Sequence, residues 1–269
     1  MPTDHLPPSS LRAALKATAI EAARRGGAIL QKCARTGFCI EHKDAVNLVT
    51  DADRGAEQAI VEAIRKAYPS HQILAEERGL EAGCASPYKW VIDPLDGTTN
   101  FAHGFPAYCV SIGLEHEGRG LLGVVFDPTR EELFVAEAGG GASVNGTALH
   151  VSQARTLDAA LLVTGFAYDI RESAQNNLDH FARFALRAQG LRRTGTAALD
   201  LCYVAAGRFD GFWEIKLHPW DTAAGALIVQ EAGGHVTDLK GGPFSIYGHA
   251  IVASNGLIHD EMLKVLRQG

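Results

Sequence analysis

The chain has 269 residues, of which 46% are hydrophobic and 21% are charged, and its formal net charge is -6. This length and composition predict a globular protein with a large buried core, and the acidic balance argues against a surface that binds nucleic acid or an anionic membrane. The first ten residues are polar and rich in proline, and no apolar run resembles a signal peptide or a membrane span. We therefore expect a cytoplasmic protein without a nucleic-acid or membrane partner.

The five cysteines are odd in number and scattered, without a Cys-x-x-Cys pair: Cys33, Cys39, Cys84, Cys109 and Cys202. This pattern favours reduced core thiols over a disulfide framework or a zinc site. The eleven histidines are also dispersed and include no His-Glu-x-x-His motif, so a metal held by histidines is not expected.

Two amphipathic helices are predicted near the beginning of the chain. Small and aliphatic residues recur at helical spacing over 11–32, and Ser9 or Ser10 could cap this helix. A second helix is predicted to begin near Asp53 and to end before Pro69, which cannot continue a helix.

Short strands that deliver acidic residues at their ends are predicted next. The stretch 47–53 is expected to be extended. The stretch 71–77 is expected to be a strand that finishes in Glu76 and Glu77, and 88–93 a strand that finishes in Asp93. Antiparallel hairpins should follow in the β-rich stretch from 107 to 138.

Further turns and elements complete a mixed α/β pattern. Asn145-Gly146 is a tight-turn signal. In the second half, strands alternate with helices: strands are predicted at 160–164, 209–215 and 250–254, and helices at 197–207, 222–234 and 259–268. We expect one mixed α/β (α+β) domain over 1–269, with sub-lobes of about 1–150 and 151–269.

Acidic residues gather at the ends of these elements: Asp53, Glu76, Asp93, Asp96 and Asp221. In α/β proteins the carboxyl ends of strands form the crevice in which ligands bind. Five carboxylates in one crevice would repel one another by several kcal/mol unless cations intervene. Oxygen ligands without nearby His or Cys suit Mg²⁺, with Mn²⁺ as a possible substitute, so two or three such ions are predicted.

The segment between two of these acids has a local role under this interpretation. Pro94 fixes φ and removes an N–H group, so the chain can turn and direct Asp93 and Asp96 to one site. The carbonyl of Leu95 would be available as a further oxygen ligand. The following residues, 97–99, would begin a helix whose N–H groups can receive a phosphate, and Mg²⁺ beside such a helix start is typical of phosphoryl transfer.

Two long motifs, DPLDGTTNF and HPWDTAAGALIVQEAGG, resemble the signatures of the inositol monophosphatase family of lithium-sensitive, Mg²⁺-dependent phosphatases. The likeness extends over nearly the whole chain. It implies the layered αβαβα sugar-phosphatase fold that this family shares with fructose-1,6-bisphosphatase, and a homodimer. It also implies a set of metal ligands, namely Glu76, Asp93, the Leu95 carbonyl, Asp96 and Asp221.

The resemblance implies further roles for individual residues. Glu76 and Thr98, with Asp53 behind them, would hold and deprotonate the attacking water. The substrate phosphate would contact Asp96 and the amides of Gly97 and Thr98. The alcohol part would contact Gly195, Thr196, Ala197 and Glu214, and Asp221 would lie near the leaving oxygen.

Structural explanations remain open for several of these residues. Asp53 and Asp221 occupy positions that suit helix caps or favourable contacts with a helix dipole. Glu214 lies in an apolar strand, where a salt bridge to Arg or Lys is about as expected as a substrate contact.

The substrate is predicted from the motifs that distinguish branches of the family. Related branches cleave histidinol phosphate, fructose 1,6-bisphosphate or adenosine 3′,5′-bisphosphate, and several replace the Thr-Asn that stands here at 99–100. Glu214 suits neighbouring hydroxyl groups of a polyol. We therefore expect myo-inositol 1-phosphate. The alternatives are a phosphatase for histidinol phosphate or another sugar or nucleotide phosphate, and a non-catalytic regulatory binding protein. Lys216 and His218 depart from the pattern of close bacterial relatives at the rim of the site.

Overall fold

The computed structural model of the chain describes residues 6–42, 48–81 and 86–268. Asn47, at the start of the stretch predicted to be extended, and Cys84 lie outside the described residues. Of the described helices, none combines the length and the apolar character that crossing a membrane requires.

The described residues form helices and strands in a mixed order along the chain. The α-helices are α1 (Ser9–Thr36), α2 (Asp51–Ala67), α3 (Thr98–Ala102), α4 (Leu178–Ala185), α5 (Ala197–Ala205), α6 (Pro219–Glu231) and α7 (His259–Leu266). The strands of the first half are β1 (Ile40–His42), β2 (Leu48–Thr50), β3 (Gln72–Ala75), β4 (Gly79–Glu81), β5 (Tyr88–Asp96), β6 (Cys109–His116), β7 (Arg119–Asp127), β8 (Glu132–Glu137), β9 (Gly141–Val144) and β10 (Thr147–Ala148). The strands of the second half are β11 (Leu161–Thr164), β12 (Gly190–Arg192), β13 (Gly211–Ile215), β14 (His235–Thr237) and β15 (Ala250–Ser254).

These elements stack in five alternating layers. An eight-stranded sheet has the order β10-β9-β8-β7-β6-β5-β3-β4, and a five-stranded sheet has the order β12-β11-β13-β15-β14. Helices α1 and α2 cover the outer face of the large sheet, α5 and α6 lie between the two sheets, and α4 and α7 cover the small sheet. The layered αβαβα fold predicted from the sequence is confirmed.

Buried side chains follow the same layers. One apolar cluster joins α1 and α2 to the large sheet, a second surrounds α5 and α6, and a third joins α4 and α7 to the small sheet. Two glycines allow α6 to approach the large sheet closely, because a Cβ on Gly113 would lie 2.6 Å from the Ala223 Cβ, and one on Gly123 would lie 2.6 Å from the Ala224 carbonyl. Helix α6 therefore packs almost directly on the backbone of the large sheet.

Two helix starts differ from the predictions. The N-cap of α1 is Pro8, and no side chain caps the helix, so the proposed Ser9 or Ser10 cap is wrong. Helix α2 begins at Asp51 with Thr50 as its N-cap, two residues before the predicted start. The extended stretch predicted for 47–53 is consequently limited to β2 among the described residues.

Other local predictions are confirmed. Strands β6, β7 and β8 form the antiparallel hairpins expected between 107 and 138. Asn145 and Gly146 have φ of 49° and 82° and connect β9 to β10, as the tight-turn signal indicated. The four cysteines in the described part of the chain are free thiols. Cys109 and Cys202 are buried, whereas Cys39 is exposed, contrary to the expectation of a core thiol.

Candidate active site

A cavity of about 700 Å³ collects nearly all of the residues that the sequence singled out. It is lined by Glu76, Asp93, Leu95, Asp96, Gly97, Thr98, Gly195, Thr196, Ala197, Glu214 and Asp221. Asp53 does not line the cavity but contacts it through Thr98. The acids of the two halves of the chain therefore face one space.

Parallel pairing of β3 and β5 brings the first two acids together. Ala75 pairs with Ile92 in this register, so Glu76 and Asp93 follow at the same edge of the sheet. The amide of Glu76 donates to the Ile92 carbonyl at 3.2 Å, which continues the ladder to the cavity. The edge formed by the carboxyl ends of these strands is the location that the sequence predicted for the acids.

A bulge at Pro94 directs the next acid into the cavity. Strand β5 continues to Asp96, but its register with β6 shifts between Asp93 and Asp96, so β5 contains one extra residue there. Proline cannot donate to the ladder and is tolerated at such a bulge. The Asp93 Oδ1 accepts from the Leu95 amide at 3.0 Å, which holds the loop in place.

Thr98 and Asp53 form a buried hydrogen-bonded pair behind the cavity. The hydroxyl of Thr98 lies 3.0 Å from the Asp53 Oδ1 and 3.1 Å from the Leu95 carbonyl oxygen. The other oxygen of Asp53 accepts from the amide and the hydroxyl of Thr50, at 2.7 and 2.6 Å. Asp53 is therefore the third residue of a capping box and at the same time the partner of Thr98, so it does not occupy the N-cap itself.

Asp96 joins the two halves of the chain. Its Oδ2 accepts from the Thr196 hydroxyl at 2.6 Å and from the Ala198 amide at 2.7 Å, both at the start of α5. Asn100 supports the same junction, because its amide group donates to the Thr194 carbonyl at 2.8 Å. The hydroxyl of Thr196 is thus engaged with a carboxylate on the cavity wall.

Asp221 reaches the cavity from the first turn of α6. Pro219 starts the helix, and the Asp221 Oδ2 accepts from the His218 amide at 2.6 Å. Asp221 therefore has the cap contact that its position suggested and also lines the cavity with the other acids.

Burial raises the pKa of the acids Asp93, Asp96 and Asp221, and the charges of neighbouring acids add to the shift for Asp93 and Asp221. The pKa of Asp93 is well above its usual value because of burial and the charges of Glu76 and Asp96, and the pKa of Asp221 is raised by burial and by Asp96. Burial raises the pKa of Asp96 to about 6, although its hydrogen bonds oppose the shift. Within the described residues, however, no three His, Cys, Asp or Glu side chains are already arranged as metal ligands.

A second acidic pair lies on the side of the cavity formed by the second half of the chain. Burial and the neighbouring charge of Asp200 raise the pKa of Glu214 well above its usual value, and Arg193 opposes this shift. The Asp200 Oδ1 accepts from the Thr194 hydroxyl at 2.5 Å. No ion pair of Glu214 is found among the described residues, so the salt bridge considered for it is absent there.

Several cavity residues had no predicted role at the site: Gly165, Tyr168, Asp169, Arg193, Asp200 and Lys216. The sequence signal for Asp200 is an acid within the otherwise apolar stretch of α5. Lys216, which has a positive φ of 61°, pairs with Asp169 at 2.5 Å across the rim. The cavity contact of Gly165 depends on tertiary packing, for which the sequence contains no local signal.

Comparison with known proteins connects this geometry to a family. The profile of the inositol monophosphatase family matches residues 12–269. The inositol-1-monophosphatase of Synechocystis sp. is 49% identical over 222 residues, which represent 82% of this chain and 77% of that protein. The Nus factor SuhB of Escherichia coli is 45% identical over 251 residues, which represent 93% of this chain and 94% of that protein.

A solved structure supports the same relationship. The inositol monophosphatase from Anabaena (Nostoc) superposes with a TM-score of 0.88 and 44% sequence identity, and the alignment covers 97% of each chain. A profile match over nearly the full length and relatives of this similarity establish the relationship. The chain belongs to the inositol monophosphatase family.

Proposed function

We propose that the chain is a Mg²⁺-dependent phosphatase that hydrolyses small phosphate monoesters, with myo-inositol 1-phosphate as its preferred substrate. The observation that carries this proposal is the shared cavity in which acidic side chains from both halves of the chain meet beside the Thr98–Asp53 pair. Membership of a family whose relatives include an inositol-1-monophosphatase supports it.

The ligands proposed for the metal are all oxygen donors, which fits Mg²⁺ or Mn²⁺. They are Glu76, Asp93, the Leu95 carbonyl, Asp96 and Asp221. The family is generally metal-dependent. Two or three bound ions would supply positive charge to the phosphate and the departing alkoxide, and acidity to a water molecule.

Thr98, with Asp53 behind it, is proposed to relay the proton of the attacking water: the Thr98 oxygen would take up the water proton while its own proton passes to the Asp53 carboxylate. Its hydroxyl carries one proton, which it can donate either to the Asp53 Oδ1 or to the Leu95 carbonyl. Because the Leu95 carbonyl would serve as a metal ligand, the hydroxyl proton of Thr98 would point to Asp53, and the Thr98 oxygen would be available to accept a hydrogen bond from water. Glu76, at the same wall, would orient that water from its other side.

The phosphate is proposed to bind at the amides of Gly97 and Thr98, beside Asp96. Gly97 has a φ of 98°, and a Cβ there would lie 2.9 Å from the Ala107 carbonyl oxygen. Only glycine fits both the backbone conformation and this close contact. The segment can therefore present its N–H groups at the cavity wall without a side chain in the way.

The alcohol part of the substrate is proposed to lie against the second half of the chain. Gly195, Thr196 and Ala197 would form the wall, and Glu214 would accept hydrogen bonds from hydroxyl groups of the polyol. Asp221 would lie near the leaving oxygen. Because Thr196 already donates to Asp96, its main contribution would be to orient that carboxylate.

A second candidate is a regulatory binding protein that retains the fold and the acidic cavity without significant turnover. Relatives named Nus factor SuhB, 45% identical over 93% of this chain in Escherichia coli, favour this alternative. The presence of every acid of the proposed site favours the enzyme.

A phosphate-release assay tests the proposal. Purified protein would be incubated with inositol 1-phosphate, histidinol phosphate, fructose 1,6-bisphosphate and adenosine 3′,5′-bisphosphate, each with Mg²⁺, Mn²⁺ or a chelator. We expect metal-dependent release that is fastest with inositol 1-phosphate and is inhibited by Li⁺. Faster release from another ester would refute the substrate, and no release from any ester would favour the binding protein.

We also propose a cytoplasmic homodimer in which 1–269 form one domain with two sub-lobes. Hydrogen bonds from α5 to Asp96 support cooperative folding of the two parts of the chain. Light scattering that gives the mass of one chain would contradict the dimer, and two separate unfolding transitions would contradict the single domain.

A further inference from the structure

Asn177 lies beneath the side of the cavity that is proposed to hold the alcohol. It precedes α4, has a left-handed φ of 68°, and is only 4% exposed. Asparagine adopts this conformation more readily than most residues. Its side chain points toward the ends of the two parallel strands β11 and β13, which it contacts through hydrogen bonds.

The Asn177 amide makes three hydrogen bonds, and a histidine ring nitrogen faces its remaining position. Its nitrogen donates to the Thr164 hydroxyl at 2.9 Å and to the Gly165 carbonyl at 2.8 Å. Its oxygen accepts from the Trp213 indole at 2.8 Å and faces the His180 Nδ1 at 3.2 Å. A buried amide with three such hydrogen bonds fixes the position of each group that it binds.

The groups that Asn177 binds are next to the cavity wall. Gly165 and Glu214, which both line the cavity, directly follow Thr164 and Trp213 in the chain. A Cβ on Gly165 would overlap the Glu214 carboxylate, so the two residues are in contact. Thr164 and Trp213 are also paired in the sheet, and the Thr164 hydroxyl donates to the Trp213 carbonyl at 2.5 Å.

We infer that Asn177 is a positioning residue for substrate selection, which holds Gly165 and Glu214 in the arrangement that accepts the hydroxyl groups of a polyol. The inference rests on the proposed function of the cavity. Asn177 does not line this cavity and acts through its contacts with both strand ends. Its effect therefore concerns recognition of the alcohol and leaves the acids around Asp96 in place.

The decisive variant is Asn177→Asp, which keeps the size of the side chain but replaces the donor with an acceptor. The new oxygen would face the Gly165 carbonyl, and the two acceptors would repel each other. We expect the KM for inositol 1-phosphate to rise about tenfold with little change in kcat, whereas methyl phosphate, which has no further hydroxyl groups, keeps its KM within about twofold.

Asn255→Asp is the matched control. Asn255 is also buried, donates to the Ser152 hydroxyl and the Ala154 carbonyl, and accepts from two backbone amides. It follows β15 at the end that pairs with Gly211, the far end of β13 from Glu214. We expect this variant to lose thermal stability as Asn177→Asp does, but to retain the ratio of kcat/KM between the two esters.

Two variants of Thr164, which introduce no buried charge, test the inference if Asn177→Asp does not fold. Thr164→Val removes the hydroxyl that accepts from Asn177 and should lower kcat/KM for inositol 1-phosphate relative to methyl phosphate. Thr164→Ser keeps a hydroxyl and should restore this ratio. The inference would be overturned if the Asn177 and Thr164 variants lost kcat/KM equally for both esters. It would also be overturned if Asn255→Asp changed the ratio of kcat/KM between the esters as much as Asn177→Asp does. Absence of wild-type turnover of either ester would instead refute the proposed function.

Discussion

The hydroxyl of Thr196 donates a 2.6 Å hydrogen bond to the carboxylate of Asp96, although the two residues are 100 positions apart in the chain. Thr196 is the N-cap of α5, and the amide of Ala198 binds the same oxygen of Asp96. The start of a helix in the second half therefore orients an acid at the end of β5 in the first half. The cavity is complete only when both halves are folded against each other.

Asp96→Asn should abolish most phosphate release without unfolding the protein. The variant retains an oxygen for Thr196 and Ala198 but loses the charge that is proposed to hold the metal, so kcat/KM should fall by about 100-fold or more. Asp238→Asn is the control, because Asp238 also accepts from two backbone amides, of Lys240 and Gly242, in a turn after β14. Circular dichroism checks the fold, and residual turnover above about a tenth of wild type would contradict the ligand role.

Thr196→Val should weaken activity through Asp96, and Thr196→Ser should restore it. Valine has the size of threonine but cannot donate to the carboxylate, and residues that orient metal ligands typically contribute 10–100-fold to affinity or activity. We expect the Mg²⁺ concentration for half-maximal activity to rise about tenfold in the valine variant. Mg²⁺ titrations of activity and calorimetric Mg²⁺ binding measure this, and identical titrations for valine and serine would exclude the role of the hydroxyl.

Much of the acidic site could be predicted because local rules determine it. Glu76 directly follows β3 and Asp93 lies beside it in the paired strand β5, and the bulge at Pro94 turns Asp96 toward the same edge. Even the start of α2, which was misassigned by two residues, has a capping-box pattern from Thr50 to Asp53 that is visible in the sequence. The short strands β1, β4, β12 and β14 were not predicted, because strands of three residues carry little periodicity, and helix α4 was missed as well.

The support for the alcohol side could not be predicted in the same way. Asn177 lies in a polar stretch before α4, and its partners are a main-chain carbonyl, a hydroxyl and an indole from two other segments. The contact between Gly165 and Glu214 likewise exists only because β11 and β13 are adjacent in the sheet. Such contacts depend on the tertiary fold, and a single sequence does not indicate them.

Gly165→Ala should reduce activity on polyol phosphates more than on simple esters. The φ of Gly165 is not in the left-handed region, so alanine would not strain the backbone there. The effect would come from the new Cβ, which would displace the Glu214 carboxylate. We expect kcat/KM for inositol 1-phosphate to fall about tenfold relative to methyl phosphate. Gly120→Ala is the control, since its Cβ would only touch Leu227 at 3.9 Å. An unchanged ester ratio in Gly165→Ala would mean that Glu214 does not contact the alcohol.

His259 should make the stability of the fold depend on pH. The residue is 2% exposed, and its ring lies between the hydroxyls of Thr237 and Ser254, each at 2.9 Å. Burial, with a smaller contribution from the charge of His235, lowers the pKa of His259 from 6.5 to about 4, and Asp260 opposes this shift. Between these two pKa values the unfolded chain binds a proton that the folded chain does not, so stability is fully present above about pH 6.5 and is lost as the pH falls toward 4.

The expected loss is roughly 2–3 kcal/mol in the free energy of unfolding between pH 7 and pH 4. Urea unfolding of the wild type and of His259→Gln at several pH values isolates this contribution, because the other titrating groups are common to both proteins. The glutamine variant should be less stable at pH 7, since it disturbs a buried site, but should lose less stability on acidification. Parallel pH dependences for the two proteins would show that His259 is not buried in its neutral form.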